Sequence, residues 1–373
     1  MFIRSHIAVA VALVSLLLVG PSAALAEPVL NLKGRVGVGF DAINNIDNRA
    51  SGGGGKGYLF RGGGNQWGTS LLEISGSHDV DMTVAGGSLK ALFLLESGFD
   101  AVRGATNGPH LWNRRAYAGL QSESLGTLTF GKNILLCNNV WFVDPFYLQF
   151  MSSAALVRGR NWHMLDNMVE YHTPRIGGFA AEVQYGLGGE VANFDAYNVL
   201  AVAANYTDEN VAIHGYYNAR RDENGDFSNV YLYSEEVMLG AVVHAGPVDL
   251  YAGYNGSFAG DADKGAEANG YATDTVQQGW LGAHFWLTKA FRLQAAGYHV
   301  ETNDEGNATL LVLGTTYNFT DDFFAYASVG TVLNSDEATF SVTATDNRPM
   351  AGESQVGSYI GFMYQFNSGN LVD

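Results

Sequence analysis

Period-two alternation of apolar and polar residues, in segments about ten residues long, recurs from Asn31 to Phe366 and limits what this chain can become more than any other feature. In LKGRVGVGF, Leu32, Val36, Val38 and Phe40 share one face, and Lys33, Arg35 and Asp41 share the other. GFAAEVQYGL sets Phe179, Ala181, Val183 and Tyr185 against Ala180, Glu182 and Gln184. VAIHGYYNAR sets Val211, Ile213 and Tyr217 against His214, Tyr216, Asn218 and Arg220. Successive strand side chains point to opposite faces, so each segment has one apolar wall and one wet wall. About sixteen such segments follow one another, the first near 31–43, the second near 66–79 and the last near 354–366. Some alternate poorly: in 88–99, Leu92 and Leu94 share a face with Lys90 and Glu96.

The connections alternate too. From the second segment on, short ones (SESL, TPRIGG, TDEN, AGP, TKA, TDD) mostly take turns with long ones. The long ones include Gly52 to Gly64, Ile134 to Asp166, Gly256 to Asp274 and Ser335 to Glu353. A soluble sandwich has no reason to lengthen every second loop. A transmembrane barrel does, with tight turns at one rim, long loops at the other and an even number of strands. Closing the sheet removes the edge that hydrocarbon would penalise. The reading is therefore all-β: a transmembrane antiparallel β-barrel of about sixteen strands, with the third long loop folded inward. In SYIGFMYQF, Ile360, Phe362, Tyr364 and Phe366 form the apolar face of a closing strand that pairs with the strand starting at Asn31. Tyr364 and Phe366 then sit in the aromatic girdle at the membrane–water boundary.

Residues 1–26 read as a cleaved export signal. Arg4 is followed by an apolar run from Ile7 to Gly20 and by small residues at Ala24 and Ala26. That run falls short of the roughly 20 residues of a helical span, and no later run approaches that length. The barrel domain then occupies 27–373, and the expected location is the outer membrane. Cleavage removes Arg4 and leaves 19 basic residues against 37 acidic ones. Such an acidic surface speaks against a nucleic-acid partner. One cysteine, Cys137, excludes an intrachain disulfide framework. No cofactor is expected. The glycines of GRVGVGF lack the dinucleotide spacing. DENGD (222–226) and DADKGAE (261–267) lack the full calcium-loop pattern. The nine His residues form no metal-ligand set. The acidic outer loops read as solvated, or as bridged by divalent cations to lipopolysaccharide.

Four stretches resemble the general trimeric porins of Gram-negative outer membranes. LKALFLLESGF (Leu89 to Phe99) is similar to that family's third strand, and LWNRRAYAGL (Leu111 to Leu120) to its Asn-Arg-x-Ala-aromatic-x-Gly-Leu stretch. GTLTFGKN followed by VDPF resembles the fifth strand and the loop that enters the pore, and VEYHTPRIGGFAAEVQY resembles strands six and seven. Two departures stand out. Asn367 to Asp373 continue past Phe366, where the family ends on a terminal Phe that the barrel assembly machinery is thought to read. The family's basic wall residue near Leu71 is missing from TSLLEISG.

The resemblance implies a homotrimer in outer-membrane lipid, passing small hydrophilic solutes and ions. The loop around Arg103 to His110 would latch onto a neighbouring copy. A charged constriction would set selectivity. Asp144, with Pro145 stiffening the turn, is expected at the tip of the inward loop. Arg114, Lys132 and His172 are expected on the wall opposite, and Arg158 and Arg160 add positive charge from the same loop. Together they lean slightly towards anion preference. His172 shares a face with Met168 and Glu170. Adjacent strand residues cannot both face the lumen. The resemblance selects Arg114, which sends Arg115 to a subunit interface or the headgroup level. Lys132 shares parity with Phe130 but sits where strand gives way to loop. A substrate-selective channel of the same fold is the alternative. A barrel enzyme is less favoured, because no Ser/His/Asp spacing marks a nucleophile and its base.

Overall fold

The computed structural model describes residues 29–158, 163–191, 193–262, 273–344 and 347–368. Residues 1–26, the export signal of the sequence reading, and Arg160 lie outside the described residues, as does the tail from 369 onward.

One antiparallel sheet runs through the described residues and closes on itself. Its strands are β1 (Val29–Ile46), β2 (Gly57–Gly64), β3 (Ser70–Val84), β4 (Gly87–Asp100), β5 (Ala105–Thr106) and β6 (Arg115–Ser122). Then come β7 (Gly126–Ile134), β8 (Met164–His172), β9 (Phe179–Gly186), β10 (Val199–Thr207), β11 (Val211–Arg220) and β12 (Glu235–Ala245). The last six are β13 (Val248–Phe258), β14 (Thr275–Trp286), β15 (Phe291–Thr302), β16 (Asn307–Asn318), β17 (Phe323–Asn334) and β18 (Gln355–Asn367). β2 and β3 pair one after the other along β1, and so form a single interrupted stave. β5 is a two-residue fold-back onto β4. Among the described residues the barrel therefore has sixteen staves, as the alternation predicts.

Closure is made by β18 on β1, in register from Lys33↔Asn367 to Ile43↔Gly357. The apolar alternates of β18 face outward, with Ile360 58%, Phe362 47% and Tyr364 53% exposed, while Tyr359 and Met363 face inward and are buried. The two-residue turn between β3 and β4 has positive φ at both Ala85 and Gly86. That combination matches the twist of a two-residue hairpin. The connection from β15 to β16 breaks the alternation of loop lengths: Asn303 to Gly306 is short although it lies on the long-loop rim.

The apolar core lies inside the barrel, against the inward loop between β7 and β8. Leu136, Cys137, Val140, Val143, Phe146, Met151 and Leu156 of that loop are buried. They pack in one cluster with wall residues including Met238, Trp280, Tyr298, Leu310, Val312 and Tyr326. Covering this wall explains why β14–β17 do not show one apolar and one wet face. In β16, Leu310 and Val312 point into the cluster, while Leu311 and Leu313 are exposed outside.

Candidate functional site

The inward loop is fastened along half the barrel. Leaving β7, it forms a 3-10 turn over Leu136–Phe142 and a one-turn helix over Ser153–Leu156, whose start is capped by Ser152 Oγ accepting from Ala154 N. Gln184 of β9 accepts from Leu136 N at 2.9 Å. Trp280 Nε1 donates to the Val143 carbonyl at 2.8 Å, and Gln294 Nε2 to the Pro145 carbonyl at 3.1 Å. Gln278 Nε2 donates to the Ser153 carbonyl at 2.9 Å, and Tyr359 Oη to Gln149 Oε1 at 2.7 Å. Lumen-facing glycines make room for the loop. A Cβ on Gly240 would stand 2.5 Å from Val143, and one on Gly314 would stand 2.6 Å from Phe146. Only a bare backbone admits so close an approach.

Asp144 is the polar pin of this fastening. It is fully buried, and its carboxylate accepts from Phe146 N at 2.7 Å, Ser153 N at 3.0 Å and Tyr298 Oη at 2.8 Å. Burial pushes the carboxyl above its usual range, and these hydrogen bonds act in the opposite direction. The expectation of Asp144 as an acid at the loop tip is thereby corrected, because it is buried and both its oxygens are engaged between loop and wall. The exposed side of the loop is aromatic instead: Trp141 is 45% and Phe142 43% exposed, and Phe142 stacks on His214 of β11 at 4.6 Å.

The opposite wall is charged. Glu96 of β4 is buried and takes Arg114 Nε on one oxygen and Arg115 Nη2 on the other, both at 2.6 Å. Arg115 Nη2 also donates to Glu73 Oε2 of β3 at 2.9 Å. On β1, Arg35 donates Nε to the Thr69 carbonyl at 2.7 Å, its guanidinium 5.9 Å from the Trp67 ring centre. Arg61 of β2 pairs with the buried Asp41 at 3.1 Å. Four guanidiniums thus share this wall with three carboxylates. Charge-assisted bonds of this kind hold the side chains in fixed positions along the lumen.

The sequence-predicted residues divide accordingly. Arg114 is on this wall, but so is Arg115: the strand begins at Arg115, so Arg114 lies in the preceding loop and is not bound by strand parity. Lys132 leaves the lumen. Its strand partner Ala116 is on the face opposite to Arg115, and its ammonium pairs at 2.6 Å with the exposed Asp166. Arg158 is buried among outer loops, bonded to Glu305 at 2.9 Å, with its guanidinium 4.5 Å from the Phe340 ring centre. His172 does face the lumen, bonded to Glu170, but near the short-turn rim. It aligns through Thr127 with Gln121, six residues along β6 from Arg115, or about 20 Å.

Arg35 and Arg61 were not among the predicted site residues. Parity already put Arg35 on the wet face, and its register partner across the sheet is Leu71. The cation expected at Leu71 has thus moved one strand over. Arg61 stands in a stretch read as loop, where no parity could be applied.

A model of the Gram-negative porin family matches residues 8–337. An outer membrane porin protein of Bordetella pertussis is 33% identical over 150 residues, which are 38% of this chain and 35% of that protein. The chain thus spans about a third of the length of this curated relative. Among solved structures, an anion-selective porin from Comamonas acidovorans gives a TM-score of 0.73 at 20% identity, covering 91% of this chain and 100% of that one. Outer-membrane expressed OmpT of Vibrio cholerae gives 0.61 at 14% identity, covering 94% and 100%. Salmonella typhi OmpF in complex with daunomycin gives 0.59 at 13% identity, covering 92% and 100%. Identities this low speak for the fold alone.

Proposed function

The chain belongs to the Gram-negative porins, and from that premise we propose that it forms a water-filled outer-membrane channel for passive diffusion of small hydrophilic solutes and ions. The observation that carries this reading is the inward loop. It narrows the lumen from one side and still leaves Trp141 and Phe142 open to solvent, in a barrel whose β1–β6 wall carries fixed charges. Pore width and wall charge are what select permeants in such a channel. Arg35, Arg61, Arg114 and Arg115 against Asp41, Glu73 and Glu96 favour weak anion preference. Asp144 and Arg158 support the constriction from behind rather than line it. Membership of a porin family supports a channel over an enzyme.

We also read the chain as a homotrimer. The outward aromatics near the short-turn rim, Tyr171, Phe179, Tyr206, Phe285, Tyr317 and Tyr364, run from β8 to β18. Across β3–β7 the corresponding outward positions are His78, Ala91, Leu120 and Leu128. A girdle marks where the barrel meets lipid headgroups. Its gap marks a side covered by neighbouring copies. Single-channel recording in planar bilayers tests the main proposal. A large ohmic conductance with a small anion-directed zero-current potential in a salt gradient is expected, and absence of conductance refutes it.

A further inference from the structure

On the short-turn side of the inward loop the lumen carries a cation that the constriction does not use. Arg292 of β15 faces Trp286 of β14 across the strand pair. Its guanidinium carbon is 5.0 Å from the Trp286 ring centre and 5.4 Å from that of Tyr147, which reaches down from the loop. Nη1 donates to Tyr147 Oη at 3.1 Å. Nε is buried and has no acceptor, and Nη2 has none either, although it is not sealed from solvent. Among the described residues no carboxylate comes within 4.0 Å of this group. Asp249, the acid of the same network, is engaged by Trp286 Nε1 at 3.1 Å and His244 Nδ1 at 2.7 Å. His284 is occupied by Tyr147, Tyr251, Gln294 and the Pro145 carbonyl.

An arginine keeps its charge at any physiological pH. Arg61, Arg114, Arg115 and Arg158 each meet a carboxylate, whereas Arg292 is only 8% exposed and meets none. Flanking rings stabilise the faces of the cation but leave its edge unsatisfied. Nε is closed to solvent, so a ligand meets the group at Nη2, where a carboxylate oxygen accepts a charge-assisted bond. We propose that Arg292, walled by Trp286 and Tyr147, binds the carboxylate of small organic acids that enter through the short-turn mouth, with their apolar part against the Trp286 ring. The site rests on the channel reading above and adds to it a ligand class and a position away from the constriction.

Benzoate is the probe, with benzamide as its neutral, equally flat control, each added in turn to either side of single channels in planar bilayers. Benzoate is expected to cause brief, concentration-dependent interruptions of the current, and benzamide none. Arg292→Gln is expected to raise the benzoate concentration needed roughly tenfold to a hundredfold, the effect of deleting a charged hydrogen-bond donor. Tyr147→Phe removes the brace between loop and guanidinium and keeps the charge, so block by benzoate is retained. Equal action of benzoate and benzamide on the unaltered protein overturns the site while leaving the channel reading intact. So does wild-type block in Arg292→Gln. A chain without any conductance refutes the channel and the site together.

Discussion

Replacing Gly282 by alanine should narrow the channel from behind. A Cβ on Gly282 would stand 2.5 Å from Pro145 Cγ and 2.7 Å from Pro145 Cβ, with the Ala295 carbonyl 2.9 Å away on the wall side. Apolar carbons rest at about 3.5–4.0 Å, so the gap is short by about 1 Å. β14 cannot retreat, because it is paired along its length to both β13 and β15. The loop must therefore give way and move about 1 Å into the lumen. That movement strains the bonds that hold the Pro145 carbonyl, from His284 Nε2 at 2.6 Å and Gln294 Nε2 at 3.1 Å. Overpacking of this kind costs about 1–3 kcal/mol. Single-channel conductance should fall, and the temperature at which the folded form disappears from a detergent gel should drop with it. Gly279→Ala on the same strand is the control, since its nearest neighbour would be 3.8 Å away. The reasoning is refuted if Gly282→Ala conducts and melts like the unaltered protein, or if Gly279→Ala does the same damage.

Three further outcomes are expected. Asp144→Asn turns an amide towards a backbone N–H that the carboxylate now accepts, at Phe146 or Ser153, and should cost about 1–3 kcal/mol; the melt should fall and open-channel noise should rise, and an unchanged quiet channel would contradict the pinning role. Glu96→Gln removes the charge that two guanidiniums share at 2.6 Å; the zero-current potential should move towards anions, with about 3–5 kcal/mol lost from a broken buried pair, and a shift towards cations would remove these residues from the ion path. The homotrimer should run as a slow band on a detergent gel that boiling converts to one near the 40.0 kDa chain; one identical band in both lanes, with a monomer by sedimentation, would exclude it.

How much of this could be read beforehand depended on whether a local rule applied. Strands were legible because alternation is local: the segment read at 88–99 is the strand Gly87–Asp100, and that read at 354–366 is Gln355–Asn367. The closing strand was legible because its outward row of Ile360, Phe362 and Tyr364 has no partner but lipid. Side-chain roles in the inward loop were not, since they depend on which wall the loop lies against. Asp144 looked like a tip charge, and the donors that hold it are fixed only by the folded loop and by Tyr298 of β15. The parity rule misplaced Arg115 because the strand started one residue later than its use required. Arg61 lay in β2, a strand hidden in a glycine-rich stretch with little hydrophobic pattern to find.

The fastening of the inward loop also fixes an order of events during assembly. Trp280 meets Val143 across 137 positions of chain, Tyr298 meets Asp144 across 154, and Tyr359 meets Gln149 across 210. The loop belongs to the first half of the polypeptide, and Trp280, Tyr298 and Tyr359, which pin it, belong to the last third. Contacts of such long range form late, after the intervening chain has been ordered. A partly built barrel consequently holds an unseated loop, with Val143, Phe146 and Met151 looking for cover and a lumen wider than in the finished molecule. When β18 joins β1, it brings Tyr359 to Gln149 and sets Gly357 beside Met151. Sealing of the wall and narrowing of the bore are then one step, so a chain stalled before its last strands should leak rather than merely fail to conduct.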